Sequence, residues 1–131
     1  MNYEVAIIIP TLNEERFISR CLDSIINQSF VFEKMDIMVI DGGSTDRTEN
    51  IVRNYQKYYK NIRFLHNDKK IQSVAFNIGI KNSNAPYIIR LDAHTEYNTN
   101  YISLCLEKLR QDSKRGNVGG RCNILPANHS I

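Results

Sequence analysis

Asp92-Ala93-His94 is the stretch of this chain best equipped for chemistry. It follows Tyr87-Ile88-Ile89-Arg90-Leu91, an apolar run whose β-branched and aromatic content and boundary at Pro86 predict a buried strand. An ionised Asp left unpaired in apolar surroundings is penalised by several kcal/mol, so Asp92 must face water or hold a cation. In an extended segment, i, i+2 spacing puts both side chains on the same side. Carboxylate oxygen and imidazole nitrogen are ligands suited to Mg²⁺ or Mn²⁺ that already carries a phosphate. The plainer reading is a loop carboxylate beside an exposed or hydrogen-bonded histidine, and the residues alone leave both open.

Three earlier runs must position this site. Val5 to Pro10 is continuously apolar and closes in Thr11-Leu12-Asn13-Glu14, where Thr11 and Glu14 have capping-box spacing ahead of Phe17, Ile18, Cys21, Leu22 and Ile25. Ile37 to Ile40 ends in Asp41-Gly42-Gly43-Ser44-Thr45-Asp46, with Asp46 and Glu49 placed to cap a helix that turns Ile51, Val52, Tyr55 and Tyr58 inward. Ile62 to Leu65 gives way to His66-Asn67-Asp68-Lys69-Lys70 and then to Ile71, Val74, Ala75 and Ile78 on one helical face. After Asp92, the residues Ile102, Cys105, Leu106 and Leu109 mark a fourth helix, and Asn117-Val118-Gly119-Gly120 suggests a short fifth strand.

Alternating strands and helices, with continuously apolar strands, imply an α/β fold: a mostly parallel sheet covered on both faces and wound right-handedly. All strand carboxyl ends then lie on one edge, where ligands of such sheets bind. That edge collects Thr11/Asn13/Glu14, Asp41/Ser44/Asp46, His66/Asp68 and Asp92/His94.

Bulk properties narrow the class. A chain of 131 residues is expected to form one domain. An apolar share of 42% with 24% charged residues is that of an ordinary globular protein, and a net charge of +3 without a basic stripe argues against nucleic acid. Cys21, Cys105 and Cys122 show no C-x-x-C spacing, so they read as core thiols. No signal peptide and no membrane-spanning apolar run is visible, which predicts a soluble, cytoplasmic chain.

The common phosphate-cradling signatures, G-x-x-x-x-G-K-[ST] and G-x-G-x-x-G, are absent, so a bound nucleotide would need another device. Asp41 could accept a hydrogen bond from a base or ribose, although Asp41-Gly42-Gly43-Ser44 fits a tight strand-to-helix turn equally well. Lys69 and Lys70 could reach a diphosphate or simply be solvated. His66 and His129 lack partners in sequence.

Taken together, Ile7-Ile8-Ile9-Pro10-Thr11-Leu12-Asn13-Glu14-Glu15, Val39-Ile40-Asp41-Gly42-Gly43-Ser44-Thr45-Asp46-Arg47-Thr48 and the Asp92 segment resemble the inverting family 2 glycosyltransferases of GT-A fold. Asp92-Ala93-His94, with Ile71-Gln72-Ser73-Val74-Ala75-Phe76-Asn77-Ile78-Gly79 upstream, looks closest to the succinoglycan-biosynthesis ExoA-like branch. The resemblance implies that Pro10, Thr11, Asn13 and Glu14 line a nucleotide-sugar pocket, with Asp41 at the base, Ser44 nearby and Asn77 on the sugar-diphosphate side. Asp92 and His94 would take the first and last places of the D-x-D metal motif and hold Mg²⁺ or Mn²⁺. The departure is His94 where an Asp is usual: a neutral imidazole brings no charge and must be unprotonated to ligate.

The implied reaction passes a sugar from a nucleotide-diphosphate donor to a hydroxyl of a saccharide or lipid-linked saccharide, in cell-surface or exopolysaccharide synthesis. Its general base is expected beyond Ile131, because no carboxylate between Gly119 and Ile131 suits the role and Glu96 lies close to the metal motif. Residues 1–131 would then be one donor-binding domain lacking the acceptor region after about 122, inactive alone and seated in the full-length protein at the inner membrane face. The apolar surface left by a missing half would let copies associate. The competing expectation is a non-catalytic nucleotide-binding or partner-docking module of the same fold. A nucleotidyltransferase fits less well, since no glycine- and arginine-rich loop follows the first strand.

Overall fold

The computed structural model describes residues 2–111. Four parallel strands, β1 (Val5–Thr11), β2 (Met35–Asp41), β3 (Ile62–His66) and β4 (Tyr87–Arg90), form one sheet in the order β3-β2-β1-β4. Four helices alternate with them: α1 (Ile18–Ile26), α2 (Thr48–Tyr58), α3 (Gln72–Lys81) and α4 (Tyr101–Gln111). This is the α/β architecture that the run of apolar strands predicts. The suggested strand at Asn117 to Gly120, Cys122 and His129 lie outside the described residues.

The two sides of β1 go to different cores. Val5, Ile7 and Ile9 join Cys21, Leu22, Ile25, Val52, Cys105 and Leu106 beneath α1, α2 and α4, while Ala6 and Ile8 join Met38, Ile40 and Ala75 beneath α3. Burial on both faces is why β1 shows no alternation, and each fully buried Ile contributes about 1.5–3 kcal/mol. Cys21 and Cys105 are both buried in the core, as expected of them. Burial pushes the Cys21 thiol well above its ordinary value, so it is not a nucleophile.

Three local expectations are corrected. Thr11 is the last residue of β1 and donates to Asp41, so no capping box with Glu14 forms; α1 starts at Ile18 without a side-chain cap. Tyr58 points outward at 76% exposure, and Tyr59 packs against the core instead. Ile71 precedes α3 and is 55% exposed, while the buried face of that helix runs through Ala75 and Gly79. Ala75 and Ile78 keep the expected face, and Gly79 adds to it: a Cβ there would lie 2.4 Å from Ile8 Cδ1, so the glycine brings α3 down onto β1. That approach outweighs the roughly 1 kcal/mol that a helix-interior glycine costs.

Asp46 does act at the start of α2, accepting from the Thr48 amide at 2.9 Å. The strand order reverses between β1 and β4, which makes their carboxyl ends the switch point where open α/β sheets bind ligands.

Candidate functional site

β2 ends at Asp41, and the chain must turn at once toward α2. The Asp41 carboxylate, 3% exposed, drives that turn: Oδ1 accepts from Thr11 Oγ1 at 2.7 Å and Ser44 Oγ at 2.6 Å, and Oδ2 from the amides of Gly43 at 3.0 Å and Ser44 at 2.7 Å. Four bonds occupy its acceptor sites, so a base would have to displace one of them. Gly43 lies at φ +100°, where a side chain would be strained. Asn13, at φ 54°, ties the β1 loop to the same turn: its amide donates to Ser44 Oγ at 2.7 Å, and its Oδ1 accepts from the Thr45 amide at 2.8 Å. Asn13, Asp41 and Ser44 thus brace one another.

Beside this brace, a cleft of about 140 Å³ is lined by Pro10, Thr11, Leu12, Glu14, Ile40, Gly42, Asn67, Lys70, Ile71, Gln72 and Ala75. Pro10, Thr11 and Glu14, three of the residues expected in a nucleotide-sugar pocket, line this cleft. Asn77 does not line it: it is exposed on α3, two positions past buried Ala75 and so on the other side of a 3.6-residue turn.

Sequence reasoning passed over Asn67 and left Lys70 undecided. Asn67, 4% exposed, closes the rim by donating its amide to the Asp41 carbonyl at 2.7 Å and its Nδ2 to the Ile71 carbonyl at 2.9 Å. Lys70 takes φ 60°, costly for a residue with a Cβ, and its side chain crosses the glycine turn with Cε 3.3 Å from where a Gly43 Cβ would stand. The signal was the polar run His66 to Lys70, of which Asn67 and Lys70 line the cleft while His66 stands edge-on to Phe64.

On the other side of β1, the β4 loop brings Asp92 and His94 to the same rim. They share a side, but not because the segment is extended. Asp92 forms an Asx turn, with Oδ1 accepting from the His94 amide at 2.9 Å and its carbonyl from the Thr95 amide at 3.2 Å. His94 Nδ1 then lies 2.8 Å from Glu14 Oε1 and 3.5 Å from Asp92 Oδ1, and the ring stacks on Phe17 at 5.4 Å. Burial pushes the Glu14 carboxyl above its ordinary value; His94 pulls it back, and Asp92 and Asp46 raise it further. Behind the turn, the Tyr97 hydroxyl accepts from the Asp92 amide at 2.6 Å, and the Tyr97 amide donates to Ser24 Oγ at 2.9 Å, which anchors the loop to α1.

The donor set fits a divalent ion that brings most of its own ligands. Asp92 is 64% exposed at its side chain, with its hydrogen bond on one oxygen only, and no described residue bonds His94 Nε2. Among the described residues no three His, Cys, Asp or Glu groups form a complete metal cage. Two protein donors beside diphosphate oxygens and water are what Mg²⁺ or Mn²⁺ commonly accepts.

Comparison with known proteins places this rim in context. In sequence, the chain is 36% identical over 99% of its length to a dolichyl N-acetyl-alpha-D-glucosaminyl phosphate 3-beta-D-2,3-diacetamido-2,3-dideoxy-beta-D-glucuronosyltransferase of Methanococcus voltae, covering 42% of that protein. It is 35% identical over 77% of its length to the succinoglycan biosynthesis protein ExoA of Rhizobium meliloti, covering 31% of it, so the ExoA-like branch is one of several similar groups. In structure, the mannosyltransferase PcManGT of Pyrobaculum calidifontis, in complex with GDP-Man and Mn²⁺, superposes with a TM-score of 0.75 at 22% identity, over 83% of this chain and 33% of that one. The fold is therefore GT-A, and the chain spans less than half the length of these relatives. Among the described residues, no helix is long and apolar enough to cross a membrane. Residues 6–129 match the family model described as glycosyl transferase family 2, and the chain belongs to that family.

Proposed function

We propose that residues 1–131 bind the donor of glycosyl transfer, a nucleoside-diphosphate sugar, together with Mg²⁺ or Mn²⁺. One observation carries this reading: the Thr11–Asp41 brace, Lys70, and the Glu14–His94–Asp92 cluster line one carboxyl rim from four strand ends, on both sides of β1. Pro10, Thr11 and Gly42 offer the cleft wall to the nucleoside, with Asp41, Asn13 and Ser44 keeping that wall in place. Lys70 supplies a mobile cation to the diphosphate, and the glycine turn leaves it room to do so. Asp92 and His94 would hold the ion, which when bound neutralises charge developing on the leaving diphosphate.

In a protein of these relatives' length, an acceptor hydroxyl of a saccharide or lipid-linked saccharide would attack the anomeric carbon with inversion and expel the nucleoside diphosphate. The general base is assigned to residues outside those described. Support for the acceptor class comes from the relatives' names, one a glucuronosyltransferase named for dolichyl N-acetyl-glucosaminyl phosphate and the other a succinoglycan biosynthesis protein.

Calorimetry on this chain with UDP-GlcNAc and GDP-mannose, with and without Mn²⁺, tests the donor reading. Micromolar to millimolar binding of at least one donor that strengthens with Mn²⁺ is expected. Absent binding, or binding indifferent to the metal, overturns it.

A further inference from the structure

Glu14 belongs to the β1 loop and His94 to the β4 loop, and their side chains meet across the switch point at 2.8 Å. Neither is placed by this contact alone. The Glu14 amide donates to Thr48 Oγ1 at 2.8 Å, and its carbonyl accepts from the amides of Phe17 at 3.0 Å and Ile18 at 2.9 Å. Its side chain is only 12% exposed, so the carboxylate is aimed inward at the ring rather than spread into solvent. The His94 main chain is held by the Asx turn, and one ring face lies against Phe17 at an interplanar angle of 30°.

An ionised carboxylate only accepts, so a 2.8 Å contact assigns the proton of a neutral ring to Nδ1 and leaves the lone pair on Nε2. No described residue bonds Nε2, and the ring is 57% exposed. We propose that Glu14 is a positioning residue: it holds His94 in the Nδ1–H tautomer, so that Nε2 is the nitrogen offered to the divalent ion of the donor complex. This rests on the donor-binding reading above and changes the part Glu14 plays in it, from nucleotide contact to orienting partner. It also explains how a histidine serves where the family usually has an Asp. A carboxylate at position 94 needs no tautomer fixed and would be repelled by Glu14, whereas an imidazole is made a better ligand by an acceptor behind it.

The test is a double-mutant cycle read by Mn²⁺ electron paramagnetic resonance in the presence of UDP or GDP, on the parent chain, Glu14→Ala, His94→Asp and the double variant. Removing such an outer partner weakens metal affinity about 10- to 100-fold, and that loss is expected for Glu14→Ala in the parent background but not beside His94→Asp. Electron spin echo on ¹⁵N-histidine-labelled parent should show one nitrogen coupled to Mn²⁺, weakened by Glu14→Ala. Glu14→Gln, nearly isosteric, gives a smaller loss with the same dependence on His94 and replaces the alanine variant should that unfold.

Equal losses in both backgrounds, no loss in either, or no coupled nitrogen in a parent that does bind Mn²⁺-nucleotide would overturn the Glu14 assignment and leave the donor reading standing. A parent that binds no Mn²⁺-nucleotide sinks both.

Discussion

Strand β2 carries a buried aspartate near each end, Asp36 toward the amino edge and Asp41 at the carboxyl edge, each 3% exposed. Their partners differ in kind. Asp36 meets a cation: Arg63 on β3 donates from Nε at 3.1 Å and from a terminal nitrogen at 3.0 Å, and the same guanidinium reaches the Asn82 carbonyl at the end of α3 at 2.7 Å. Asp41 meets two hydroxyls and two amides and no cation. The amino edge therefore neutralises its charge and clamps β2, β3 and α3, whereas the carboxyl edge spends its charge on shaping loops.

The backbone tells the same story. Among the described residues, the positive φ angles belong to Asn13, Gly43 and Lys70, which follow β1, β2 and β3 at the carboxyl edge. Strain gathered at one rim, while the opposite rim is locked by paired charge, is the pattern of a stable scaffold presenting a binding edge.

The comparison breaks most visibly at Asp36. Asp36→Ala leaves Arg63 partly buried and unpaired, and stability should fall by about 3 kcal/mol, the lower end for a broken buried pair because Arg63 is one-third exposed. Urea unfolding measures this, and the folded fraction should bind nucleotide as the parent does. A loss below about 1 kcal/mol would show that the amino edge is no clamp.

Lys70→Gly sharpens the contrast from the other side. Relief of the left-handed backbone and the greater freedom of the unfolded chain nearly cancel, so stability should change by less than about 0.5 kcal/mol. Affinity for UDP or GDP should fall roughly 10-fold, since charge-assisted hydrogen bonds contribute about 1.5–3 kcal/mol. Calorimetry on the variant decides it, and unchanged affinity would remove Lys70 from the diphosphate site. The smallest effect belongs to Arg110→Ala, which breaks an exposed pair with Glu4 near the start of β1. A change within about 0.5 kcal/mol in the same unfolding assay is expected, because exposed ion pairs contribute little. A larger loss would extend the clamp of the amino edge to α4.

Much of the fold could be read locally. Ile7, Ile8 and Ile9 are apolar in succession because both faces of β1 are covered, and Ile102, Cys105, Leu106 and Leu109 recur at helical intervals because one face of α4 is buried. The candidate site was legible as far as the ends of those strands reached, at Thr11, Glu14, Asp41, Asp92 and His94. Helix α3 was legible at Ala75 and Ile78, which pack on the second core, but not at Ile71, which is exposed, nor at Gly79, whose close contact is made by a residue with no side chain to count.

Period and composition report how each segment meets the core, and that was enough to establish parallel strands, their carboxyl rim and the polar groups upon it. They carry no information about which of those groups touch. Thr11 caps the turn at Asp41 rather than its own helix, Asn67 closes the rim, and Glu14 faces His94, all because the order β3-β2-β1-β4 sets particular loops side by side. Pairing between distant loops depends on strand order and turn geometry, which arise when the sheet assembles and leave no mark in the spacing of residues along one strand.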